Sequence, residues 1–194
     1  MIYTIPRYPV HLIDVVRAAD GSCVTIRPIL PQDAELQREF FHSLSAESRY
    51  SRFMTPLKEL PEAVAQRLIS VDYRSHLALL AEVFEDGRET MVGEARYVVD
   101  AQDAQSCELA IAVADHWQAK GIARALLDRL ERQAAASGIR RMVGETLMTN
   151  KPMLRLARRA GYEVTVSDED TWVGRLEKRL TGSPAAASFR PRAA

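Results

Sequence analysis

Trp117-Gln118-Ala119-Lys120-Gly121-Ile122-Ala123-Arg124 joins two runs of different periodicity. Before it, Glu108-Leu109-Ala110-Ile111-Ala112-Val113 is a short apolar run that reads as a strand. After it, Ala123-Arg124-Ala125-Leu126-Leu127-Asp128-Arg129-Leu130 reads as the opening of a helix. A strand, a turn with a basic residue and a Gly, then a helix start make an anion site. The N–H groups of a first helical turn have no intrahelical partner, and the helix dipole favours negative charge beside them. Gly121 and the small Ala123 let a bulky diphosphate approach the backbone. The stretch therefore predicts a phosphate-bearing cofactor held mainly by main chain.

Neither of two common nucleotide loops is present: the chain has no Gly-x-x-x-x-Gly-Lys-Ser/Thr and no Gly-x-Gly-x-x-Gly. The pattern is Gln-x-x-Gly-x-Ala, from Gln118 to Ala123, and a second block follows it. Ser137-Gly138 stops the helix and Arg141 to Met148 reads as a strand. Asn150-Lys151-Pro152-Met153-Leu154-Arg155-Leu156-Ala157-Arg158-Arg159-Ala160-Gly161-Tyr162 then reads as a second helix and its stop. Asn150 suits an N-cap, Pro152 a first turn, and Gly161 the position after a helix end. Met153, Leu156, Ala157 and Ala160 fall on one face.

In that order and spacing, the two blocks resemble the GCN5-related N-acetyltransferase (GNAT) superfamily. Its signature is Gln/Arg-x-x-Gly-x-Gly/Ala, followed by a helix that starts on Asn and closes on Gly-Phe/Tyr. Upstream, Ile26-Arg27-Pro28, Leu44 to Phe53, Pro56 to Leu60 and Asp72-Tyr73 are similar to one subgroup. That subgroup is the acetyltransferase domain of bacterial Pat-type protein lysine acetyltransferases, and the likeness runs from about Tyr8 to about Arg179. Such domains are often fused to an acyl-CoA-synthetase-like region or a cyclic-nucleotide-binding domain. Neither has room in these 194 residues, so the chain reads as a stand-alone version.

The resemblance implies an α/β fold, a twisted mixed sheet of about seven strands flanked by helices and splayed beside the cofactor. It implies acetyl-CoA as co-substrate. Backbone of Ile111 and Val113 would meet the pantetheine arm. Gln118, Ala119, Lys120, Gly121, Ile122, Ala123 and Arg124 would surround the pyrophosphate, with Lys120 as a charge partner. Asn150 and Met153, in the second block, would complete the cofactor site. The implied activity is transfer of acetyl to a protein lysine. Two alternatives stand beside it: acetylation of a small amine or amino acid, and a CoA-binding sensor without turnover.

The length suits one domain, with 8–180 as its span and 181–194 as a disordered tail that is small, Pro-containing and non-periodic. Lys plus Arg and Asp plus Glu both number 26, so no basic excess points to nucleic acid or an acidic membrane surface. No apolar run is long enough to span a membrane, and the first seven residues lack the regions of a signal peptide. Two cysteines, Cys23 and Cys107, are too few for a disulfide framework or a zinc cluster. The expectation is a cytoplasmic protein with reduced thiols and no metal, either monomer or homodimer.

Periodicity predicts a hairpin from Leu12 to Arg17 and Val24 to Arg27 across Asp20-Gly21. It predicts helices over 33–44 (stripe Leu36, Phe40, Leu44), 45–53, and 61–71 (stripe Val64, Leu68, Val71). Strands are predicted over 76–84, 90–100 and 172–180, the first as a buried central strand. Interleaved helices and hairpins imply a mixed sheet.

Acetyl transfer to an amine needs a neutral nitrogen, yet a lysine amine has a pKa of about 10.4 and is almost wholly protonated at pH 7. A general base is the usual remedy. Glu108, at the start of the cofactor strand, is the candidate: Pat-type domains carry their catalytic Glu there. On a two-residue period it shares a face with Ala110 and Ala112, whose small side chains leave room. The plainer reading is a solvated charge at a strand end. Glu94 is second, read as an outward-facing strand residue, and Glu145 third, on a strand across the cofactor. Many family members supply the leaving thiolate's proton from a Tyr four residues before the closing Gly, where this chain has Ala157. Tyr162 reads as core, His76 and His116 as structural, Cys107 as a bystander thiol, and Arg155, Arg158 and Arg159 as a solvated helix face.

Overall fold

The computed structural model describes residues 8–168 and 170–181. Strands β1 (Asp14–Arg17) and β2 (Cys23–Pro28) form the opening hairpin. Three helices follow, α1 (Ala34–Ser43), α2 (Ala46–Phe53) and α3 (Glu62–Ile69). A meander of β3 (His76–Glu85), β4 (Arg88–Val99) and β5 (Ser106–Val113) makes the centre of the sheet. Then come α4 (Ile122–Ala136), β6 (Arg141–Leu147), α5 (Lys151–Arg159), β7 (Glu163–Val166) and β8 (Val173–Arg179).

The eight strands form one sheet in the order β1-β2-β3-β4-β5-β6-β8-β7. All neighbours are antiparallel except β5 and β6, which α4 connects as a parallel crossover. β3 explains its central place: Leu77 to Ala81 are all fully buried, as a continuous apolar run with both faces covered must be. Helices α1 to α3 lie on the face that carries Glu94 and Arg96, where Arg96 donates to the Leu68 carbonyl of α3 at 3.0 Å. Helices α4 and α5 cover the other face, where Lys178 of β8 pairs with Glu131 of α4 at 2.5 Å.

Several local expectations are corrected. On α1 the expected stripe stands, with Phe40 and Leu44 buried and Leu36 packed against the core, but Gln37 and Phe41 are buried beside it. The ring of Phe41 reaches Phe53 of α2, 5.6 Å between centroids, so helix-to-helix packing widens the buried face beyond the stripe. On α3 the face is Ala65, Leu68 and Ile69, because the helix ends at Ile69 and leaves Val71 beyond it. On α5 Leu154 is buried beside Ala157 while Met153 and Leu156 are only partly so. The eighth strand is β7, a mostly exposed edge strand whose Glu-Val-Thr-Val alternation is only four residues long. Among the described residues no helix is long and apolar enough to cross a membrane. The tail expected to be disordered lies, from residue 182, outside the described residues.

Candidate active site

The site begins where β5 and β6 part. Their parallel ladder has three pairs, Ser106↔Arg141, Cys107↔Met142 and Glu108↔Val143. Gly144 makes the last close approach: a Cβ there would sit 3.2 Å from the Leu109 carbonyl oxygen. Past that point β5 stays paired with β4 on its other edge, up to Gly93↔Val113. In an antiparallel ladder, alternate residues turn their main-chain groups to the partner. The Ala114 N–H donates to the Val92 carbonyl and the Asp100 N–H to that of Ser106, which sets the phase. Glu108, Ala110 and Ala112 therefore direct their main chain to β4, while Ile111 and Val113 direct theirs into the gap. Gln118 closes its far end, its Nε2 donating to the Val113 carbonyl at 3.2 Å.

The anion loop has left-handed backbone at Ala119 (φ 59°) and Gly121 (φ 88°). No side chain caps the N-terminus of α4, so the main-chain N–H groups of Ile122, Ala123 and Arg124 stand at an open helix end. A Cβ on Gly121 would meet nothing within 4 Å, so its φ, not crowding by protein, demands glycine there. The Ile122 side chain is buried in the core, which leaves only its main chain for a ligand. Lys120 is already engaged by two neighbours. Its Nζ lies 2.9 Å from Asp20 Oδ2 and 4.1 Å from the centre of the Trp117 ring, fastening the loop to the β1–β2 turn. Arg124 pairs with Asp128 at 2.8 Å and donates to the Arg159 carbonyl at 3.0 Å, joining α4 to the end of α5. The Asn150 Oδ1 accepts from the Met153 N–H at 3.1 Å and caps α5, and Met153 packs against the core.

A Gly121→Val substitution forces a β-branched residue into the left-handed region, at a cost of about 1–2 kcal/mol or a shifted loop. If these N–H groups hold an anion, CoA affinity measured by calorimetry drops about tenfold or more, since 1.4 kcal/mol is tenfold. Unchanged affinity would show that the loop is not the grip.

Glu108 is exposed and opens into a cleft of ≈ 320 Å³ lined by Val98, Asp100, Val143, Glu145 and Arg175 among others. Ala110 and Ala112 continue its face and stand in register opposite Arg96 and Glu94. Glu145 shares the cleft from β6, with Arg175 opposite it in register.

Glu94 is not outward-facing: it is 2 % exposed and lies between two guanidinium groups, Arg52 of α2 at 3.0 Å and Arg96 at 2.6 Å. The reason is α2, which covers this face of the sheet and brings a cation that β4's own sequence does not announce. Burial pushes the Glu94 carboxyl up, but the two arginines outweigh it and hold it at about 2. A carboxylate so firmly paired is a poor proton acceptor near neutrality. Arg52 is itself held below the usual arginine range by burial first, although a guanidinium stays charged regardless. His76 Nε2 lies 3.2 Å from Arg96, behind this cluster.

The remaining side chains have quieter roles. Tyr162 is buried with its hydroxyl 3.0 Å from the Met142 sulfur. Ala157 is fully buried and brings no hydroxyl. Arg155, Arg158 and Arg159 are exposed on α5. Cys107 is fully buried, and burial pushes its thiol up to about 12, so it is the inert partner of the two cysteines. Brief alkylation of the native protein at pH 8 is expected to label Cys23 alone by mass spectrometry; early labelling of Cys107 would show that β5 opens. Among the described residues no group of three or more His, Cys, Asp or Glu could hold a metal ion.

A family model described as the acetyltransferase (GNAT) family matches residues 37–162. The chain belongs to that family. The activity class is therefore acetyl transfer, with acetyl-CoA as donor. Acetyltransferase PA5475 of Pseudomonas aeruginosa is 34 % identical over 143 residues, covering 74 % of this chain and 76 % of that protein. Acetyltransferase Pat of Mycolicibacterium smegmatis is 28 % identical over 146 residues, 75 % of this chain but only 43 % of that longer protein. Among solved structures, the GNAT domain of S. lividans PAT superposes with a TM-score of 0.81 at 31 % identity, covering 90 % of this chain and all of that one. The splayed mixed sheet is thus the family fold.

Proposed function

We propose that this GNAT-family chain acetylates the side-chain amine of lysine in a protein substrate, with Glu108 as general base. The observation that carries this reading is the exposure of Glu108 in an open cleft at the point where β5 and β6 part. A small-amine enzyme would enclose its acceptor, whereas a lysine presented on another protein must be reached from outside. The likeness to the GNAT domain of S. lividans PAT supports the same choice.

The residues suit acetyl-CoA. The edge of β5 at Ile111 and the Val113 N–H, unpaired by β6, match the amide-bearing pantetheine arm, and the uncapped end of α4 with the open space at Gly121 matches a diphosphate. Gln118, Ala119, Lys120, Ile122, Ala123 and Arg124 frame that grip, while Asn150 and Met153 build the α5 wall. Bound acetyl-CoA supplies an activated thioester. Glu108 then takes the proton from the acceptor ammonium, directly or through a water, and the freed amine attacks the acyl carbon. The free strand N–H groups stabilise the oxygen that gains charge. As the C–S bond breaks, the new C–N nitrogen gives up its excess proton to solvent; with Ala157 in place of a Tyr, the departing thiolate takes a proton back from that solvent, which a thiol of ordinary pKa near 8.5 tolerates.

The test is acetyl-CoA consumption against a panel of proteins and small amines, with mass spectrometry of the acceptors. Acetyl-lysine on a protein is expected. Turnover confined to small amines would replace this reading with the small-molecule one.

A further inference from the structure

Asp115 lies two residues after Val113 and three before Gln118, between the strand edge and the anion loop. It opens a 3-10 turn, Asp115–Trp117, and its carbonyl accepts from the Gln118 N–H at 3.2 Å. Its carboxylate does something unrelated to that loop. Oδ2 accepts from the Ser45 N–H at 2.9 Å, and Oδ1 accepts from the hydroxyls of Ser45 at 2.9 Å and Ser48 at 2.8 Å. The Ser45 hydroxyl in turn accepts from the Ser48 N–H at 3.1 Å and caps α2. One carboxylate thus organises the whole N-terminus of α2, where a negative charge is also favoured by the helix dipole.

Helix α2 packs against both β5 and β6, across their parting. Its C-terminal turn is held separately by Arg52 on Glu94, and the Arg52 guanidinium lies within electrostatic reach of Glu108. The acceptor side of the site is therefore walled by a short helix fastened at one end to buried β4 and at the other to the cofactor loop. Only the second fastening sits on a segment that a cofactor would touch.

We propose that Asp115 is a positioning residue that couples the two halves of the site: when the anion loop is filled, Asp115 is fixed, and α2 is ordered as the wall on which the acceptor docks. This rests on the acetyl-CoA reading of the loop. It makes cofactor binding promote acceptor binding, and gives the Ser45-x-x-Ser48 cap a role in the reaction as well as in the helix.

Hydrogen exchange of the α2 amides tests it, in wild type and Asp115→Asn, with and without saturating coenzyme A. In wild type, coenzyme A is expected to slow α2 exchange by about tenfold or more, the scale of one hydrogen bond to a charged group. In Asp115→Asn that slowing is lost, while coenzyme A affinity by calorimetry stays within about twofold. In the assay, the variant's acceptor KM rises roughly tenfold with kcat little changed, a split that general loss of stability would not produce. If Asp115→Asn folds poorly, judged by exchange in β3 and β4, the Ser45→Ala/Ser48→Ala pair removes the hydroxyl donors, keeps the carboxylate, and is expected to lose the slowing too. Slowing that persists in the folded variants, or is absent in wild type that binds coenzyme A, overturns the coupling alone. Wild type that does not bind coenzyme A removes the cofactor reading, and the coupling falls with it.

Discussion

Glu108→Gln is expected to lower acetyl-lysine formation by about 10²–10⁴, the usual share of a general base, with coenzyme A affinity unchanged. Glutamine keeps the size of the side chain and removes its ability to accept a proton from an ammonium group. At pH 7 fewer than about one lysine in a thousand is neutral, so the acceptor depends on that acceptance. The side chain is exposed and makes no part of the core, so stability should not move. Raising the pH deprotonates the amine without help, so the deficit should narrow in alkaline buffer. Steady-state rates from pH 7 to 10, with binding by calorimetry, make the check. Full turnover in Glu108→Gln would move the base elsewhere, and Glu145 in the same cleft is the next residue to replace.

The second large effect concerns stability. Glu94→Ala is expected to destabilise the fold by about 3–5 kcal/mol, because it strips a buried carboxylate from two buried cations. Arg52 and Arg96 would keep their charges without the carboxylate that pairs with both, and each already has a buried Nε without a hydrogen-bond partner. Urea unfolding with an unchanged slope and a lower midpoint is the expected signature. The pH dependence follows from the depressed carboxyl. Its folded value is about 2 against an ordinary 4.5, so its contribution is complete above about pH 4.5 and is lost as pH falls through about 2. The gap between wild type and Glu94→Ala should therefore shrink in acid. A midpoint shift worth under about 1 kcal/mol would show that the cluster is loosely held, since surface pairs reach only that size.

These two glutamates mark the boundary of what the chain discloses locally. Both sit on strands beside small or apolar neighbours, and in sequence they look alike. Alternation placed Glu108 on the face of Ala110 and Ala112, and the register confirms that face. Glu94 reads as outward-facing, because nothing in β4 itself shows what covers that side of the strand. Covering depends on α2, some forty residues earlier in the chain, and Arg52 carried no local sign of its partner. Asp115 was missed for the same reason: its donors are 67 and 70 residues away, and the only hint was the spacing Ser45-x-x-Ser48, a helix cap. Lys120 shows the converse. A basic residue beside a Gly reads naturally as a phosphate partner, yet the packing of the β1–β2 turn sets Asp20 within its reach.

By itself the sequence determined the elements and their kind except for the short edge strand β7, because periodicity, caps and turn residues act over a few neighbours. It marked the Gln118–Ala123 loop, the Asn150 cap and the family, since these are contiguous patterns whose chemistry is local. The tertiary structure alone decided where β5 and β6 separate, which edge of β5 is left free, and which glutamate is sheltered by arginines. Those outcomes arise from strand register and helix placement, where residues far apart in the chain meet and burial changes what a charge can do.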